Sequence, residues 1–223
     1  MTIDEQIDTL LTKGVDTILP SSDFLKNSLT SGQRLTLYCG FDPTAPTLHI
    51  GHTITLRKLR QFQDLGHRVI FLIGDFTARI GDPTDKTAAR KQLSIKEIKT
   101  NFKLYKRQAG KFVRFSGRNP ATVKFNSLWL GKLKFADIIE LASHMTVDQM
   151  LKREMFVRRG KEGKPIYLHE FFYPLMQGYD SVAMNVDGEI GGSDQLFNML
   201  AGRTLLKQLK NKEKFVLTTK LLE

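Results

Sequence analysis

An α/β fold built on a parallel sheet is predicted by three observations. The run Leu35-Thr36-Leu37-Tyr38-Cys39 is rich in strand formers, and Ile54, Leu56, Leu59, Phe62 and Leu65 recur downstream at helical spacing until Gly66. A second apolar run, Val69 to Ile73, follows at once, so that strand, helix and strand form a βαβ unit with a right-handed crossover. The alternation returns near the end of the chain, with strand character at Glu189-Ile190, a helix from Gln195 to Leu209, and a strand at Phe215 to Thr218. The chain's 223 residues can bury a substantial core, and a single domain over 1–223 is expected.

Residues 1–30 read as a short helical extension with Pro20-Ser21-Ser22-Asp23 as its turn. The start, Met1-Thr2-Ile3-Asp4-Glu5, is acidic and unlike an Arg- and Ser-rich transit peptide, and no apolar run approaches membrane-spanning length. The single cysteine excludes an internal disulfide. A cytoplasmic protein with no membrane partner is the expectation. Between the first strand and the first helix lies Gly40-Phe41-Asp42-Pro43-Thr44-Ala45-Pro46-Thr47-Leu48-His49-Ile50-Gly51-His52. A helix that starts there aims its N-terminal N–H groups above the sheet, a setting that suits an anion such as a triphosphate. His49 and His52 can approach one ligand from one side, and Gly51 lacks the Cβ that would keep a flat base off the backbone. Cys39 and the scattered His67, His144 and His169 make no convincing zinc ligand set, so no protein-held metal is expected.

The net charge of +11 is unevenly spread, with fourteen Lys or Arg and one acidic residue, Glu97, between Lys86 and Lys134. Ser94 and Glu97 make a capping box for a helix with inner face Ile98, Phe102, Tyr105, Ala109 and Phe112, leaving Lys96, Lys99, Lys103, Lys106 and Arg107 outside. Two readings stand here: a solvated helix face, or a field that attracts phosphates and weakens with salt. Helices then follow from Phe135 to His144, from Met150 to Arg159 behind a Thr146/Gln149 cap, and, after a turn over Gly160 to Pro165, from about Ile166 to 184. That last helix is almost wholly apolar, yet Tyr173, Gln177 and Asp180 share one face. Such a row makes either a structural hydrogen-bond network or the lining of a wet pocket.

A four-residue signature and four further ordered blocks carry a resemblance to a known family. His49 to His52 match the HIGH signature of the class I aminoacyl-tRNA synthetases letter for letter. Tyr38 to Thr44, then Ile80-Gly81-Asp82-Pro83-Thr84, then Tyr173 with Gln177 and Asp180, then Gly191-Gly192-Ser193-Asp194-Gln195 resemble the successive blocks of the tyrosyl-tRNA synthetases, from about residue 31 onward. The resemblance implies a Rossmann-like parallel sheet, the HIGH-type nucleotide-binding fold, with a helical connective insert at about 127–185 that also builds a homodimer interface. The family's lysine-rich KMSKS loop and its anticodon-binding C-terminal domains have no counterpart before Glu223, so a catalytic-core fragment is expected.

The activity implied is ATP-dependent activation of L-tyrosine to tyrosyl-adenylate and transfer to tRNA(Tyr), with Mg²⁺ accompanying the ATP. On this resemblance Tyr38 and Asp180 bind the substrate's phenol hydroxyl, and Tyr173, Gln177 and Asp82 hold its ammonium group. Gln195 lies beside the carboxylate, and Asn126 belongs to the tyrosine-side network. Thr44 and His49 donate to the phosphates, Lys86 and Arg90 contact pyrophosphate, and Gly51 and His52 pack near the nucleoside. Cys39, Gly192 and Asp194 contact ribose, with Gly40 and Asp42 also on the ATP side. A site that reads a hydroxyl with buried polar groups, for which the tyrosyl enzymes are the standard example, leaves those groups unpaired when phenylalanine enters. Two alternatives stay open: a synthetase-like module that binds RNA through its basic face without full catalysis, and a general nucleotidylyltransferase, against which Tyr38, Gln177 and Asp180 argue.

Overall fold

The computed structural model describes residues 1–82 and 93–222. Helix α1 (Ile3–Thr12), closed at its start by a reciprocal cap between Thr2 and Glu5, leads into strand β1 (Val15–Leu19) and helix α2 (Ser22–Thr30), capped by Ser21. The expected βαβ unit follows as β2 (Thr36–Phe41), α3 (His52–Asp64) and β3 (Arg68–Ile73), with Gly66 at φ 92° ending the helix. Next come α4 (Ile95–Asn101), α5 (Tyr105–Ala109) and β4 (Thr122–Phe125). The helices α6 (Ser127–Leu130), α7 (Phe135–Ser143), α8 (Val147–Leu151), α9 (Glu154–Lys161) and α10 (Phe172–Met184) occupy the stretch expected as the insert. The described chain finishes with β5 (Gly188–Gly192), α11 (Leu196–Lys210) and β6 (Phe215–Thr219).

The strands form one sheet in the order β1-β6-β5-β2-β3-β4. Every neighbouring pair is parallel except β1 and β6. The sheet is therefore mixed where a parallel one was expected, and residues 1–30 are more than a helical extension. Val15-Asp16-Thr17-Ile18-Leu19 becomes a strand because it covers the edge of β6, with Val15 opposite Thr219. The chain leaves β2 toward β3 on one side, whereas β5 and β6 build the other half. The carboxyl ends of β2 and β5 thus flank a topological switch point, the place where open α/β sheets bind ligands.

One face of the sheet packs against α1, α2 and α3 through Leu10, Leu25, Leu37, Leu59 and Phe62, with the Phe62 ring stacked 5.7 Å from that of Phe215. Leu141, Leu175, Val182, Leu205 and Leu206 form a second cluster around α10 and α11. Each such fully buried side chain contributes about 1.5–3 kcal/mol.

Two expected helices are interrupted, each for a visible reason. The basic helix breaks into α4 and α5 around a 3₁₀ turn at Phe102–Leu104, and Phe112 lies beyond its end. Ile98, Tyr105 and Ala109 are buried as expected, and Lys96, Lys99, Lys103, Lys106 and Arg107 are exposed. The bend lets three side chains hold the loop before the histidines: Asn101 Nδ2 donates to Pro43 O at 2.9 Å, Tyr105 Oη to Ala45 O at 2.8 Å, and Gln108 Nε2 to Pro46 O at 3.3 Å. The helix expected from Met150 to Arg159 is cut at Arg153, whose extended backbone turns a buried guanidinium toward Asp82 and the Phe156 and Phe197 rings. The helix expected from about Ile166 begins as a 3₁₀ turn at Leu168–Phe171, and Ile166 stays outside it. There Glu170 accepts from Arg159 and from the Tyr167 amide, which folds the preceding loop back on itself.

Candidate active site

The ends of β2 and β5, the 42–52 loop and the inner side of α10 enclose a cavity of about 380 Å³. Sixteen residues singled out from the sequence line it together: Tyr38, Cys39, Gly40, Asp42, Thr44, His49, Gly51, His52, Asp82, Asn126, Tyr173, Gln177, Asp180, Gly192, Asp194 and Gln195. Lys86 and Arg90, with Pro83 and Thr84, lie outside the described residues.

At the mouth, the rings of His49 and His52 stack with centroids 3.6 Å apart. The His49 amide donates to His52 Nδ1 at 3.1 Å, so the remaining ring nitrogen of a neutral His52, Nε2, carries the proton and is a donor. Burial, and then the neighbouring His49, lower the His52 pKa to about 4, which keeps the ring neutral at physiological pH. A Cβ on Gly51 would press to within 3.0 Å of the His49 ring, so a larger residue there would make that ring shift by a few tenths of an ångström. One expectation is amended: the amides of His52, Thr53 and Ile54 are engaged by the carbonyls of His49, Ile50 and Gly51. Side chains of the loop, more than free helix amides, therefore face an anion here. Cys39, at the floor, is buried and its thiol is pushed up to about 12, chiefly by burial, so it is a neutral packing group with a weak donor.

The deep end is polar and closely wired. Asp180 is 2% exposed and accepts from Trp129 Nε1 at 2.7 Å and Asn126 Nδ2 at 3.2 Å. Burial drives its pKa well above the usual carboxylate range, against those two donors and with the charges of Glu189 and Asp42 adding to the rise. Tyr173 donates to Asp42 at 2.8 Å, and Thr77 donates to the other oxygen of Asp42 at 2.7 Å. Asp42, expected on the ATP side, is thus tied directly to the Tyr173 end of the cavity. A side chain at Gly74 would collide with Asp42 and Thr77, so a glycine at the end of β3 makes room for that contact. Gln195 Nε2 donates to Asp82 at 2.7 Å and to Asp194 at 2.8 Å, joining the Gly-Gly-Ser-Asp-Gln block to the Gly-Asp-Pro block. Asp82 also faces Arg153 at 3.5 Å.

Several residues of the site escaped the sequence reading. Thr77 and Trp129 hold Asp42 and Asp180, and Ser181 contacts the Tyr38 hydroxyl at 3.0 Å. Glu189 accepts from Gln177 at 3.1 Å and pairs with Lys214. A carboxylate in the apolar strand Gly188–Gly192 is a signal that a buried partner exists, but nothing in the order of residues points to Lys214.

The tyrosine-row geometry and the stacked histidines can be set beside known proteins. Residues 30–223 match the model of the family described as tRNA synthetases class I (W and Y). The tyrosine–tRNA ligase of Carboxydothermus hydrogenoformans is 52% identical over 219 residues, covering 96% of this chain and 52% of that one. That of Xanthomonas oryzae is 49% identical over 222 residues, covering 100% and 54%. The chain spans about half the length of the curated relatives it matches. Among solved structures, a C-terminally truncated mitochondrial tyrosyl-tRNA synthetase of Aspergillus nidulans superposes with a TM-score of 0.82 at 27% identity, covering 98% of this chain and 69% of that one. The tyrosyl-tRNA synthetase of Archaeoglobus fulgidus complexed with L-tyrosine shares the fold, with a TM-score of 0.78 at 23% identity over 100% of this chain and 65% of that one.

Proposed function

The chain belongs to the class I tyrosyl-tRNA synthetases as a catalytic domain, and from that premise we propose that its cavity binds L-tyrosine and ATP, forms tyrosyl-adenylate, and passes the tyrosyl group to tRNA(Tyr). The observation that carries this reading is the meeting, in one cavity, of the Tyr173, Gln177 and Asp180 row with Tyr38 at one end and the stacked His49 and His52 at the other.

The reaction needs no base from the protein. The substrate carboxylate is already ionised at neutral pH; its oxygen forms a bond to the α-phosphorus of ATP as the bond to the leaving pyrophosphate oxygen breaks. Catalysis then rests on positioning and on donors aimed at developing charge. On this reading Asp82, Tyr173 and Gln177 hold the ammonium group, and Gln195 stands beside the carboxylate. Asp42, through Tyr173, fixes the ammonium-binding side. Thr44 and His49 donate to the phosphates, with Lys86 and Arg90 toward pyrophosphate. Neutral His52 with Gly51 packs at the nucleoside, and Gly40, Cys39, Gly192 and Asp194 meet ribose. Asn126 braces Asp180. Among the described residues no group of three or more His, Cys, Asp or Glu gathers as a metal site, so Mg²⁺ enters this proposal only bound to the ATP phosphates.

Two partner surfaces extend the proposal. Phe135, Val147 and Leu168 of the insert are 78%, 68% and 73% exposed, and a second copy of the chain is the partner the family suggests for these exposed apolar side chains. The exposed lysines of α4 and α5 supply a field for tRNA phosphates. No described helix is long and apolar enough to cross a membrane, and a cytoplasmic site of action is part of the proposal.

The test is single-turnover formation of adenylate from labelled ATP. Tyrosine-dependent adenylate, absent with phenylalanine, is the expected result. Tyrosine binding without any adenylate would favour the second reading, a synthetase-like RNA-binding module.

A further inference from the structure

At the wall of the cavity, which Glu189 lines, lies a buried ion pair that the adenylation reading leaves unused. Lys214, immediately before β6, and Glu189, in β5, are 0% and 2% exposed, and the Lys214 ammonium pairs with Glu189 Oε2. The same ammonium donates to Ser181 Oγ at 2.8 Å, and Ser181 Oγ lies 3.0 Å from the Tyr38 hydroxyl. Glu189 Oε1 accepts from Gln177 Nε2 at 3.1 Å. One pair therefore touches both Tyr38, through Ser181, and Gln177.

The polarity of this chain of contacts follows from its first member. An ammonium has donors and no acceptor, so Lys214 can only donate into a lone pair of Ser181. Of the two groups in contact with Ser181 Oγ, only the Tyr38 oxygen can accept the serine proton. Tyr38 keeps its own proton: burial first, then the negative charges of Glu189 and Asp180, hold its pKa well above the usual phenol value. Glu189, which accepts from Lys214 and Gln177, keeps lone pairs for that proton as well, and its hydrogen bond with the Tyr38 hydroxyl adds to the rise. The Tyr38 O–H is thus a donor, to Glu189 or to a ligand oxygen that takes its place in the cavity. Asp180, with donors from Trp129 and Asn126 on its two oxygens, is an acceptor when ionised. A donor and an acceptor together read a ligand group that both accepts and donates, as a phenol does.

We propose that Lys214 is a specificity-determining positioning residue that, through Ser181, fixes Tyr38 as the hydrogen-bond donor to the phenol oxygen of the substrate. The inference rests on the tyrosine-site reading above. It also gives the buried pair a use beyond stability, since a buried ion pair is often no better for stability than neutral residues of similar size.

The test compares dissociation constants for L-tyrosine, and for L-phenylalanine at high concentration, in the wild type, Ser181→Ala, the double variant Lys214→Met/Glu189→Gln, and the triple variant, each with a thermal melt. Gln at 189 keeps an acceptor for Gln177, and the joint exchange leaves no uncompensated buried charge. Ser181→Ala and the double variant should each weaken tyrosine about tenfold, the effect of one hydrogen bond, and leave phenylalanine unchanged. The triple variant should be no weaker than either, because all three cut the same chain of contacts. An unchanged ratio of tyrosine to phenylalanine affinity in folded variants, or additive losses in the triple, would overturn the role of Lys214. If the double variant does not fold, an unchanged ratio in Ser181→Ala overturns it and a tenfold loss sustains it. A wild type that binds no tyrosine overturns the tyrosine-site reading itself, whereas a wild type that binds tyrosine while every variant matches it overturns this inference alone.

Discussion

On the proposed function, Asp180 links recognition to folding at the scale of one residue. Its folded pKa lies above the unfolded value because burial penalises the charge, so protonation favours the fold. The stability linked to Asp180 is present at acid pH and is lost as pH rises toward the folded pKa. Asp180→Asn is therefore expected to raise Tm at pH 8 by about 2–4 °C over the wild type, with the gap closing toward pH 4, while calorimetric tyrosine binding disappears. A melt that collapses in Asp180→Asn would mean that the row on α10 is a structural network first. His49 has a separate signature. Loss of one phosphate donor in His49→Ala should slow adenylate formation by about 10² to 10³ and leave the tyrosine dissociation constant nearly unchanged; an equal loss of tyrosine affinity would remove it from the phosphate end. Sixteen of the residues lining the cavity were legible in the sequence because they stand in short blocks of unusual composition, such as His49-Ile50-Gly51-His52 and Gly191-Gly192-Ser193-Asp194-Gln195. Thr77, Glu189 and Lys214 were not, because their importance comes from neighbours across strands and not along the chain.

At the scale of elements, what periodicity carries was recovered and what tertiary contact imposes was not. The period of Ile54 to Leu65 and the stop at Gly66 fixed α3, whose interior faces the sheet. The split between α4 and α5 could not be read from Ser94 to Phe112, since it answers to Pro43, Ala45 and Pro46, the carbonyls that Asn101, Tyr105 and Gln108 hold. β4 was missed for a related reason: Thr122-Val123-Lys124-Phe125 is short, and it is a strand because β3 offers an edge. The outward lysines were read correctly, and their use is open to experiment. Replacing Lys103, Lys106 and Arg107 by glutamate should weaken tRNA binding most at low salt, lowering the slope of log K against log salt by about 2, with tyrosine binding intact. Equal slopes would leave the face as a solvated surface.

For the whole molecule, the decisive feature is the strand order, which sets the ends of β2 and β5 side by side and so makes one cavity from blocks up to about 150 residues apart, as in the 143-residue separation of Tyr38 from Ser181. The parallel core of that order was anticipated from the βαβ unit. The antiparallel β1 was not, because Val15 to Leu19 takes its meaning from β6, about 200 residues later. The exposed apolar side chains of the insert belong to the same scale: on the proposed homodimer, light scattering should give twice the chain mass, and Phe135→Asp should return it to one, with tyrosine binding retained. A monomeric wild type would remove the second copy from that face. The most direct test of the whole reading is calorimetric titration with L-tyrosine, L-phenylalanine and L-tryptophan. Saturable binding of tyrosine at concentrations where the other two show none is the result expected of a cavity that ends in Tyr38 and Asp180; a folded chain that binds none of them, or binds phenylalanine as tightly as tyrosine, would contradict it.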